Sequence, residues 1–382
     1  MIYFDNAATT FPKPETVYKY TDEFYRNFGV SVGRGQHELG NIVGKMVWET
    51  KNLIKKLLIC ENKEIVFTSS ATEGLNIVLQ GLNWDFEQNV YITPFEHNSV
   101  LRVLAYLKEK YNIRIIELCV DKSTLTYDFE KIKCQFQKLK PNAVIMSHVS
   151  NMCGLIAPIS ELCNLAKDYD AVTVVDMAQT AGLVPTDLSK ISSDYTVFAG
   201  HKTLYAPFGV GGIILDKKSD LKPFLYGGTG IDSININMPS TIPEKFEVGS
   251  QNTMAIAGLN AAVKWINEVG IDKIYHQEKN NTEALVNILN RYDNIKLVGY
   301  KNEESNIGVV SCLFDGFSSD DIGRILNENN VAVRTGLHCS PAAHKFFGTI
   351  PDGTVRFSLG YFNTKSDFQR LEAVLDIIEL NS

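Results

Sequence analysis

The sequence predicts an α/β protein with a doubly wound, mostly parallel sheet and a second, smaller α/β unit at the carboxyl end. Between residues 64 and 199, short runs rich in β-branched and aromatic residues alternate with stretches of helical periodicity. Such alternation indicates βαβ units with right-handed crossovers. After about residue 253 the sequence pattern changes to that of one long helix, Met254–Val269, followed by helix and strand pairs. The length of 382 residues allows two or three domains.

The chain is therefore expected to have three parts. An amino-terminal arm, residues 1–15, has two prolines and little periodicity and should pack with the small domain. A large domain, residues 16–253, should contain the main sheet and bind the cofactor, and a small domain, residues 254–382, should carry a cysteine loop. The expected strands include Glu64–Thr68, Val90–Ile92, Ile113–Leu118 and Ala143–Ser147, and helices should begin near Thr72, His97 and Ile159.

Composition excludes several classes of protein. Hydrophobic residues make up 45% and charged residues 21%, as in ordinary folded enzymes. A net charge of −7 without a Lys/Arg stripe argues against a nucleic-acid partner. The amino terminus does not resemble a secretory signal, and no apolar stretch approaches the ~20 residues that cross a bilayer, so a cytoplasmic location is expected. Seven dispersed cysteines do not suggest a disulfide framework.

Two buried strands between Ala171 and Leu215 end in groups of opposite charge. Asp176 closes the first, and Gly200-His201-Lys202 follows the second. Ligands bind outside the carboxyl ends of parallel strands, so Asp176 and Lys202 should face one crevice if these strands are neighbours. A lysine there can form a Schiff base with an aldehyde, and a carboxylate can keep a pyridine nitrogen protonated. This pair is the minimum that pyridoxal 5′-phosphate (PLP) requires.

Other polar groups also follow strands. Thr72 and the backbone of Ala71 begin a helix, where free N–H groups and the helix dipole favour a phosphate; an ordinary capping box with Glu73 is the alternative. His97 could lie over a pyridine ring and relay protons. Asn151 could hydrogen-bond a ring hydroxyl or a substrate carboxylate. A further glycine-rich segment, Gly29–His37, is either a functional loop or hinge, or a plain connecting turn.

The distal segment contains a cysteine unlike the other six. Cys339 lies in a polar loop beside His338 and near Arg334, and positive neighbours favour the thiolate that nucleophilic chemistry needs. Arg356, expected to end a short apolar strand, offers a planar fork for a substrate carboxylate. A zinc site built from His338, Cys339 and His344 is the alternative, but it lacks the usual paired-cysteine spacing, and no metal is expected.

These motifs together resemble the class V aminotransferase family of fold-type I PLP enzymes, in particular its cysteine desulfurase and selenocysteine lyase branch. The resemblance covers nearly the whole chain in an ordered series: Tyr3–Thr9, Ala71–Asn76, Glu96-His97, Asn151–Gly154, Asp176–Gln179, Gly200–Lys202, Phe246–Asn252, Arg334–Cys339 and Val355–Ser358.

The resemblance implies a role for each matching residue. It places the Schiff base on Lys202, the pyridine nitrogen at Asp176 and the cofactor ring under His97. The remaining implied roles are Gln179 on the ring hydroxyl, Thr72 and His201 on the phosphate, Cys339 as sulfur acceptor and Arg356 on the substrate carboxylate. It also implies a homodimer in which the Gly249-Ser250 segment reaches the partner's phosphate.

The chain departs from the family pattern immediately before its Gly-His-Lys motif. Ala199 stands where members often have a serine or threonine that touches phosphate, so that contact is lost or comes from Thr203 or a water. The short run from Cys339 to Arg356 is similar to the branch with a compact cysteine loop, which favours a structured loop and a separate acceptor protein.

The resemblance implies a cysteine desulfurase that converts L-cysteine to L-alanine and leaves a persulfide on Cys339. Three other functions remain open. A selenocysteine lyase or another C–S lyase would use the same pocket, an aminotransferase would need a keto acid and not Cys339, and a non-catalytic PLP-binding protein would need no substrate groups.

Overall fold

The structure, a computed structural model, describes residues 1–32, 37–231 and 234–380. The strands are β1 (Ile2–Tyr3), β2 (Glu64–Thr68), β3 (Asn89–Ile92), β4 (Arg114–Glu117), β5 (Ala143–Ser147), β6 (Val172–Asp176), β7 (Tyr195–Ala199), β8 (Gly211–Leu215), β9 (Ile295–Val298), β10 (Val309–Phe314), β11 (Val331–Ala332), β12 (Arg334–Gly336) and β13 (Thr354–Ser358). The helices are α1 (Glu15–Phe28), α2 (Glu38–Leu57), α3 (Ala71–Gly81), α4 (Asn98–Tyr111), α5 (Phe129–Lys138), α6 (Ile159–Lys167), α7 (Thr253–Val269), α8 (Ile271–Leu289), α9 (Ser319–Glu328), α10 (Pro341–Phe347) and α11 (Lys365–Glu379). The predicted loop at Gly29–His37 lies partly outside the described residues.

The larger sheet has seven strands in the order β2-β8-β7-β6-β5-β3-β4. The pairs from β4 to β7 are parallel, and β8 runs antiparallel to both β2 and β7. The predicted α/β fold with a mostly parallel sheet is therefore confirmed. β6 and β7 are parallel neighbours, which was the condition for Asp176 and Lys202 to share a crevice.

Alternation of side chains along the strands creates two apolar layers. In β5, Val144 and Met146 belong to one buried cluster, while Ala143 and Ile145 belong to another. The first cluster includes side chains of α1, α2 and α7, and the second those of α3 and α4. Helices covering both faces explain why β5 reads as a continuous apolar run.

A second sheet of four strands, in the order β12-β13-β10-β9, has a separate apolar cluster. The amino terminus joins this part of the chain, because β1 pairs in parallel with β11 and Asp5 forms a bridge with Ser358. The domain boundaries at residues 15 and 253 stay predictions. Among the described residues, none of the helices combines the length and apolar character that a membrane crossing requires.

Two glycines within helices allow a test of this packing. A Cβ atom on Gly258 of α7 would lie 2.4 Å from Cδ of Pro207 and 2.7 Å from Oγ1 of Thr21. A Cβ on Gly44 of α2 would meet nothing within 4 Å. We expect Gly258→Ala to lower the free energy of unfolding by about 1–3 kcal/mol through overpacking. Gly44→Ala, its matched control, should raise it by up to about 1 kcal/mol through helix propensity. Chemical denaturation measures both, and a change of the same sign in the two variants would contradict the packing described for α7.

Candidate active site

The carboxyl ends of the parallel strands open onto a cavity. The cavity is lined by eight of the predicted site residues, Ala71, Thr72, His97, Asn151, Asp176, Gln179, His201 and Lys202. The structure therefore brings most of the predicted constellation together, whereas Cys339, Arg356 and Ser250 are not among the residues that line this cavity.

Lys202 enters the cavity from a tight turn after β7. A Cβ on Gly200 would lie 2.7 Å from the carbonyl oxygen of Val210, so the turn requires glycine there. The hydroxyl of Thr10 donates to the Lys202 carbonyl at 2.8 Å, which fixes the main chain from the amino-terminal side. Burial lowers the pKa of Lys202 to about 8, against the opposing attraction of Asp176. A neutral, nucleophilic amine is therefore accessible at mildly alkaline pH.

Asp176 faces the same cavity from the end of β6. One carboxylate oxygen, Oδ1, accepts from the backbone N–H of Ala178 at 2.8 Å. The other oxygen has no hydrogen-bond partner in the described part of the chain. Burial raises the pKa of Asp176, while the Ala178 N–H and the charge of Lys202 oppose that shift. An unpaired carboxylate oxygen in a cavity is suited to a cationic N–H of a ligand.

His97 caps α4 with its ring. Its Nδ1 accepts from the backbone N–H of Ser99 at 3.0 Å, so the neutral ring carries its hydrogen on Nε2. Burial, followed by the positive charges of Lys202 and Arg334, lowers the pKa of His97 to about 4. The ring is therefore neutral near pH 7, as a ring that lies against an aromatic ligand would be.

The amino terminus of α3 combines a helix cap with a position at the cavity, and the sequence had left a capping box and a phosphate site as alternatives. Ser70 caps the helix by accepting from the Glu73 N–H at 3.2 Å, and Glu73 reaches back to the N–H of Ser69. Ala71 and Thr72 nevertheless line the cavity. The backbone approaches β8 closely, since a Cβ on Gly211 would lie 2.9 Å from the Ala71 nitrogen. Capping and an anion site at this helix end are compatible.

His201 and the neighbours of the Gly-His-Lys turn border the same end of the cavity. Nδ1 of His201 is buried without a partner in the described residues. Ala199 lines the cavity with no hydroxyl to offer. Thr203 does not replace it, because its hydroxyl donates to the carbonyl of Ala181 at 2.7 Å and the side chain is not among those lining the cavity.

Gln179 and Asn151 use their amides differently from the sequence expectation. Nε2 of Gln179 donates to the carbonyl of Ala7 at 3.0 Å. The Asn151 amide is bound to the cysteine loop, because Nδ2 donates to the His338 carbonyl at 2.7 Å and Oδ1 accepts from the Ser340 hydroxyl. Asn151 thus holds the residues on both sides of Cys339.

Cys339 lies next to the cavity in a fixed conformation. It borders an adjoining groove that shares Thr72 and His97 with the cavity. Its thiol sulfur accepts from Nη2 of Arg334 at 3.3 Å, and its carbonyl accepts from the Asn98 N–H at 2.8 Å. The φ angle of Cys339 is 58°, a left-handed conformation that costs a non-glycine residue about 1–2 kcal/mol. The surrounding hydrogen bonds therefore hold the nucleophile in a strained position.

Arg356 lies in the middle of β13, whereas the sequence suggested the end of a strand. The strand continues because Phe357 and Ser358 still pair with β10. The side chain is 1% exposed, and its guanidinium donates to the Asn151 carbonyl at 2.9 Å and to the Asp5 carboxylate at 2.8 Å. Its Nε is buried without a partner in the described residues.

Ser250 is the one predicted residue that the chain does not bring near the cavity. It is exposed in a separate cleft beside Ser31 and Gly230. His338 and His344 lie with ring centroids 5.3 Å apart, and each bonds a threonine hydroxyl. No group of three or more His, Cys, Asp or Glu side chains is arranged around a metal position in the described residues.

Sequence reasoning missed two groups beside the site. Asp5 pairs with Arg356, which follows 351 positions later in the sequence, and no local sequence pattern predicts that contact. Ser147 ends β5 and lines the cavity, so the strand-end rule that selected Asp176 could have selected it.

Comparison with known proteins places this geometry in a family. The sequence model for the family described as Aminotransferase class-V matches residues 2–371. A probable cysteine desulfurase of Pyrococcus abyssi is 32% identical over 98% of this chain and 94% of its own length. A cysteine desulfurase of Haloferax volcanii is 28% identical over 98% of this chain and 89% of its own.

A solved structure shows the same fold. The apo structure of a cysteine desulfurase from Thermococcus onnurineus superposes with a TM-score of 0.93 at 29% identity, covering 100% of this chain and 95% of that one. The fold is accordingly that of the fold-type I PLP enzymes. Since the family match extends over almost the whole chain, this protein belongs to the class V aminotransferase family.

Proposed function

We propose that this protein is a PLP-dependent cysteine desulfurase, which converts L-cysteine to L-alanine and retains the sulfur as a persulfide on Cys339. The observation that carries the proposal is the position of the Cys339 thiol, held by Arg334 beside a cavity that also contains Lys202 and Asp176. The names of the similar proteins support the same activity.

The residues present fit PLP. Asp176 offers an unpaired oxygen for a pyridine N–H, and the buried Nδ1 of His201 and the first N–H groups of α3 suit a phosphate. Lys202, with its lowered pKa, suits a Schiff base with an aldehyde. His97 would lie against the ring, and Thr72 and Gln179 would hold the phosphate and the ring hydroxyl. When bound, PLP supplies an electron sink for carbanion chemistry at the substrate α-carbon.

Lys202 and Asp176 divide the acid–base work. Lys202 Nζ is the group placed to take the proton from the substrate α-carbon and to return it. Its pKa of about 8 lies close to physiological pH, where proton transfer in both directions is efficient. Asp176, buried at the end of β6, would hold a protonated pyridine nitrogen through its negative charge.

Cys339 performs the sulfur transfer. The thiolate attacks the sulfur of L-cysteine, so that a sulfur–sulfur bond forms while the bond from that sulfur to the β-carbon breaks. The bonding electrons remain with the β-carbon, which is protonated to the methyl group of alanine. The sum is L-cysteine plus enzyme thiol giving L-alanine plus enzyme persulfide. Arg334 donates a hydrogen bond to the sulfur at 3.3 Å and so orients the nucleophile.

Arg356 is the proposed site for the substrate carboxylate. Its guanidinium already donates to Asp5 and to the Asn151 carbonyl, which fixes the plane of the fork. Its Nε–H, which is buried without a partner in the described residues, is the donor that we assign to the carboxylate. Asn151 then links substrate binding to the nucleophile, because its carbonyl holds Arg356 and its amide holds the Cys339 loop.

The anchored loop supports a separate sulfur acceptor. Both neighbours of Cys339 are hydrogen-bonded to Asn151, and its own carbonyl accepts from Asn98, so a large movement of Cys339 would break these hydrogen bonds. We also propose a homodimer in which Ser250 contributes to the site of the partner subunit. Near Ser250 in sequence, Ile234 and Ile236 are 96% and 100% exposed. Apolar side chains that the chain itself leaves uncovered are typical of a subunit interface.

The lysine assignment has a direct test. After reduction with borohydride in the presence of PLP, the pyridoxyl group should be found on the peptide that contains Lys202. Lys202→Ala should abolish this attachment, while Lys13→Ala should retain it. Lys13 is the matched control because burial also lowers its pKa to about 8, and its Nζ lies 3.1 Å from the His201 carbonyl. Labelling of another lysine in the wild type would show that the assignment is wrong.

The role of Cys339 separates a desulfurase from the other PLP enzymes. We expect Cys339→Ser to bind PLP but to release alanine from L-cysteine at least ~100-fold more slowly, because a serine hydroxyl does not ionise near pH 7. Cys134→Ser, which alters an exposed thiol, is the control. Mass spectrometry should find added sulfur on the wild-type Cys339 peptide. Parallel assays with selenocysteine as substrate, and with an added keto acid, distinguish the lyase and aminotransferase alternatives. If Cys339→Ser keeps full activity on L-cysteine and the wild-type Cys339 peptide carries no added sulfur, one of these two alternatives is favoured instead.

The dimer is tested at the exposed isoleucines. Replacing Ile234 and Ile236 together by Asp should shift the protein from dimer to monomer in sedimentation experiments, because charges would enter an apolar interface. Phe86→Asp, at a side chain that is 74% exposed elsewhere, should leave the dimer intact. A wild type that sediments as a monomer would contradict the proposal.

A further inference from the structure

Glu96 is a buried acid to which the proposed reaction gives no task. It lies between β3 and the start of α4, directly before His97, and is 0% exposed. In the described part of the chain it forms no ion pair with a lysine, arginine or histidine. A fully buried carboxylate without a cation is costly unless it is protonated or well supplied with hydrogen bonds.

The hydrogen bonds around Glu96 can be counted atom by atom. The Thr93 hydroxyl accepts from the Phe95 N–H at 3.2 Å and lies 2.6 Å from Oε1 of Glu96, to which it donates its single hydrogen. Oε1 also accepts from the backbone N–H of Ser147 at 2.8 Å. This oxygen therefore receives two donors and is the one that carries no proton.

The second oxygen, Oε2, has a different environment. Its one hydrogen-bond contact in the described residues is the Ser147 hydroxyl, at 2.9 Å. Ser147 ends β5 directly opposite Asp176 and lines the cavity. Its hydroxyl has one hydrogen, so the proton of Glu96 decides what Ser147 presents to the cavity. An ionised Glu96 takes that hydrogen, whereas a protonated Glu96 leaves it free.

The surrounding charges favour the protonated acid. The titratable groups that face Glu96 are Asp176 and Tyr127, and neither supplies a positive charge. Burial also raises the pKa of Asp176, although its contact with the Ala178 N–H and the attraction of Lys202 oppose that shift. Two buried carboxylates near one cation do not both ionise readily. Burial, opposed by the hydrogen bonds from Thr93 and Ser147, raises the pKa of Glu96 to about 7.

We propose that Glu96 is a positioning residue that holds a proton on Oε2 and donates it to the Ser147 hydroxyl, so that Ser147 in turn donates a hydrogen bond into the cavity. Ser147 thereby becomes a further binding residue for an anionic or carbonyl oxygen of the ligand. The statement about Ser147 rests on the proposed function, because that function supplies the ligand. The statement that Glu96 holds a proton does not depend on the proposed function.

The proton on Glu96 is tested in the apoprotein with Glu96→Gln, whose amide can accept from Thr93 and Ser147 and donate to the Ser147 hydroxyl. A carboxyl whose folded-state pKa is about 7 and whose ordinary value is 4.5 stabilises the fold fully below 4.5, and this contribution is lost as pH rises to about 7. The unfolding constant of the wild type, relative to that of E96Q, should therefore rise with pH in this window by up to about tenfold per unit, and level off above it. Denaturant titrations across the window measure it.

If the unfolding constant of the wild type divided by that of E96Q stays constant or falls as pH rises, the proposal is overturned. An E96Q chain that does not fold would also count against it, because glutamine reproduces the hydrogen bonds of the protonated acid.

For Ser147, we expect Ser147→Ala to weaken PLP binding roughly two- to tenfold, the scale of one hydrogen bond. Ser193→Ala, at an equally buried serine that does not line the cavity, should leave it unchanged. Equal affinities in the two variants would overturn the role of Ser147, whereas failure of the wild type to bind PLP would overturn the proposed function and leave the pH result decisive for Glu96.

Discussion

The parallel pairing of β5, β6 and β7 is the constraint on which the candidate site depends. In this register Ser147 lies opposite Asp176, and Asp176 lies opposite Val197, near the turn that leads to Lys202. Apolar layers on both faces fix the register, because a slip of one residue would move every buried side chain to the wrong layer. The chemistry at the strand ends is therefore positioned by the same packing that stabilises the sheet.

This dependence explains how much the sequence could predict. Polar residues directly after buried strands must meet at one edge of a parallel sheet, so Asp176, Lys202, Asn151 and His97 could be assigned to one cavity from local patterns. The fold class followed from the same alternation. The antiparallel direction of β8 did not, because an apolar run of five residues reads alike in either direction.

The remaining features depend on contacts between distant parts of the chain. The Asn151 amide binds the Cys339 loop, and Arg356 meets both Asp5 and the Asn151 carbonyl. Short-range periodicity contains no information about such pairs. The protonation of Glu96 is likewise invisible in sequence, since it follows from how deeply the tertiary structure buries the side chain and from the lack of a facing cation. Ser250 shows a further limit, because a single chain leaves it exposed in a separate cleft away from the other predicted residues.

The amino-terminal arm has a consequence for how the protein is made. Its first thirteen residues are synthesised first, yet Thr9, Thr10 and Lys13 bind main-chain carbonyls of His201 and Lys202, and Asp5 pairs with Arg356. On the ribosome, Thr9, Thr10 and Lys13 wait until residues 201–202 have been made, and Asp5 waits for Arg356, which follows 351 positions later. A chain whose translation stops before β13 therefore lacks the arm's partners at Arg356 and Ser358, and these contacts beside the lysine pocket form only after β13 has been made.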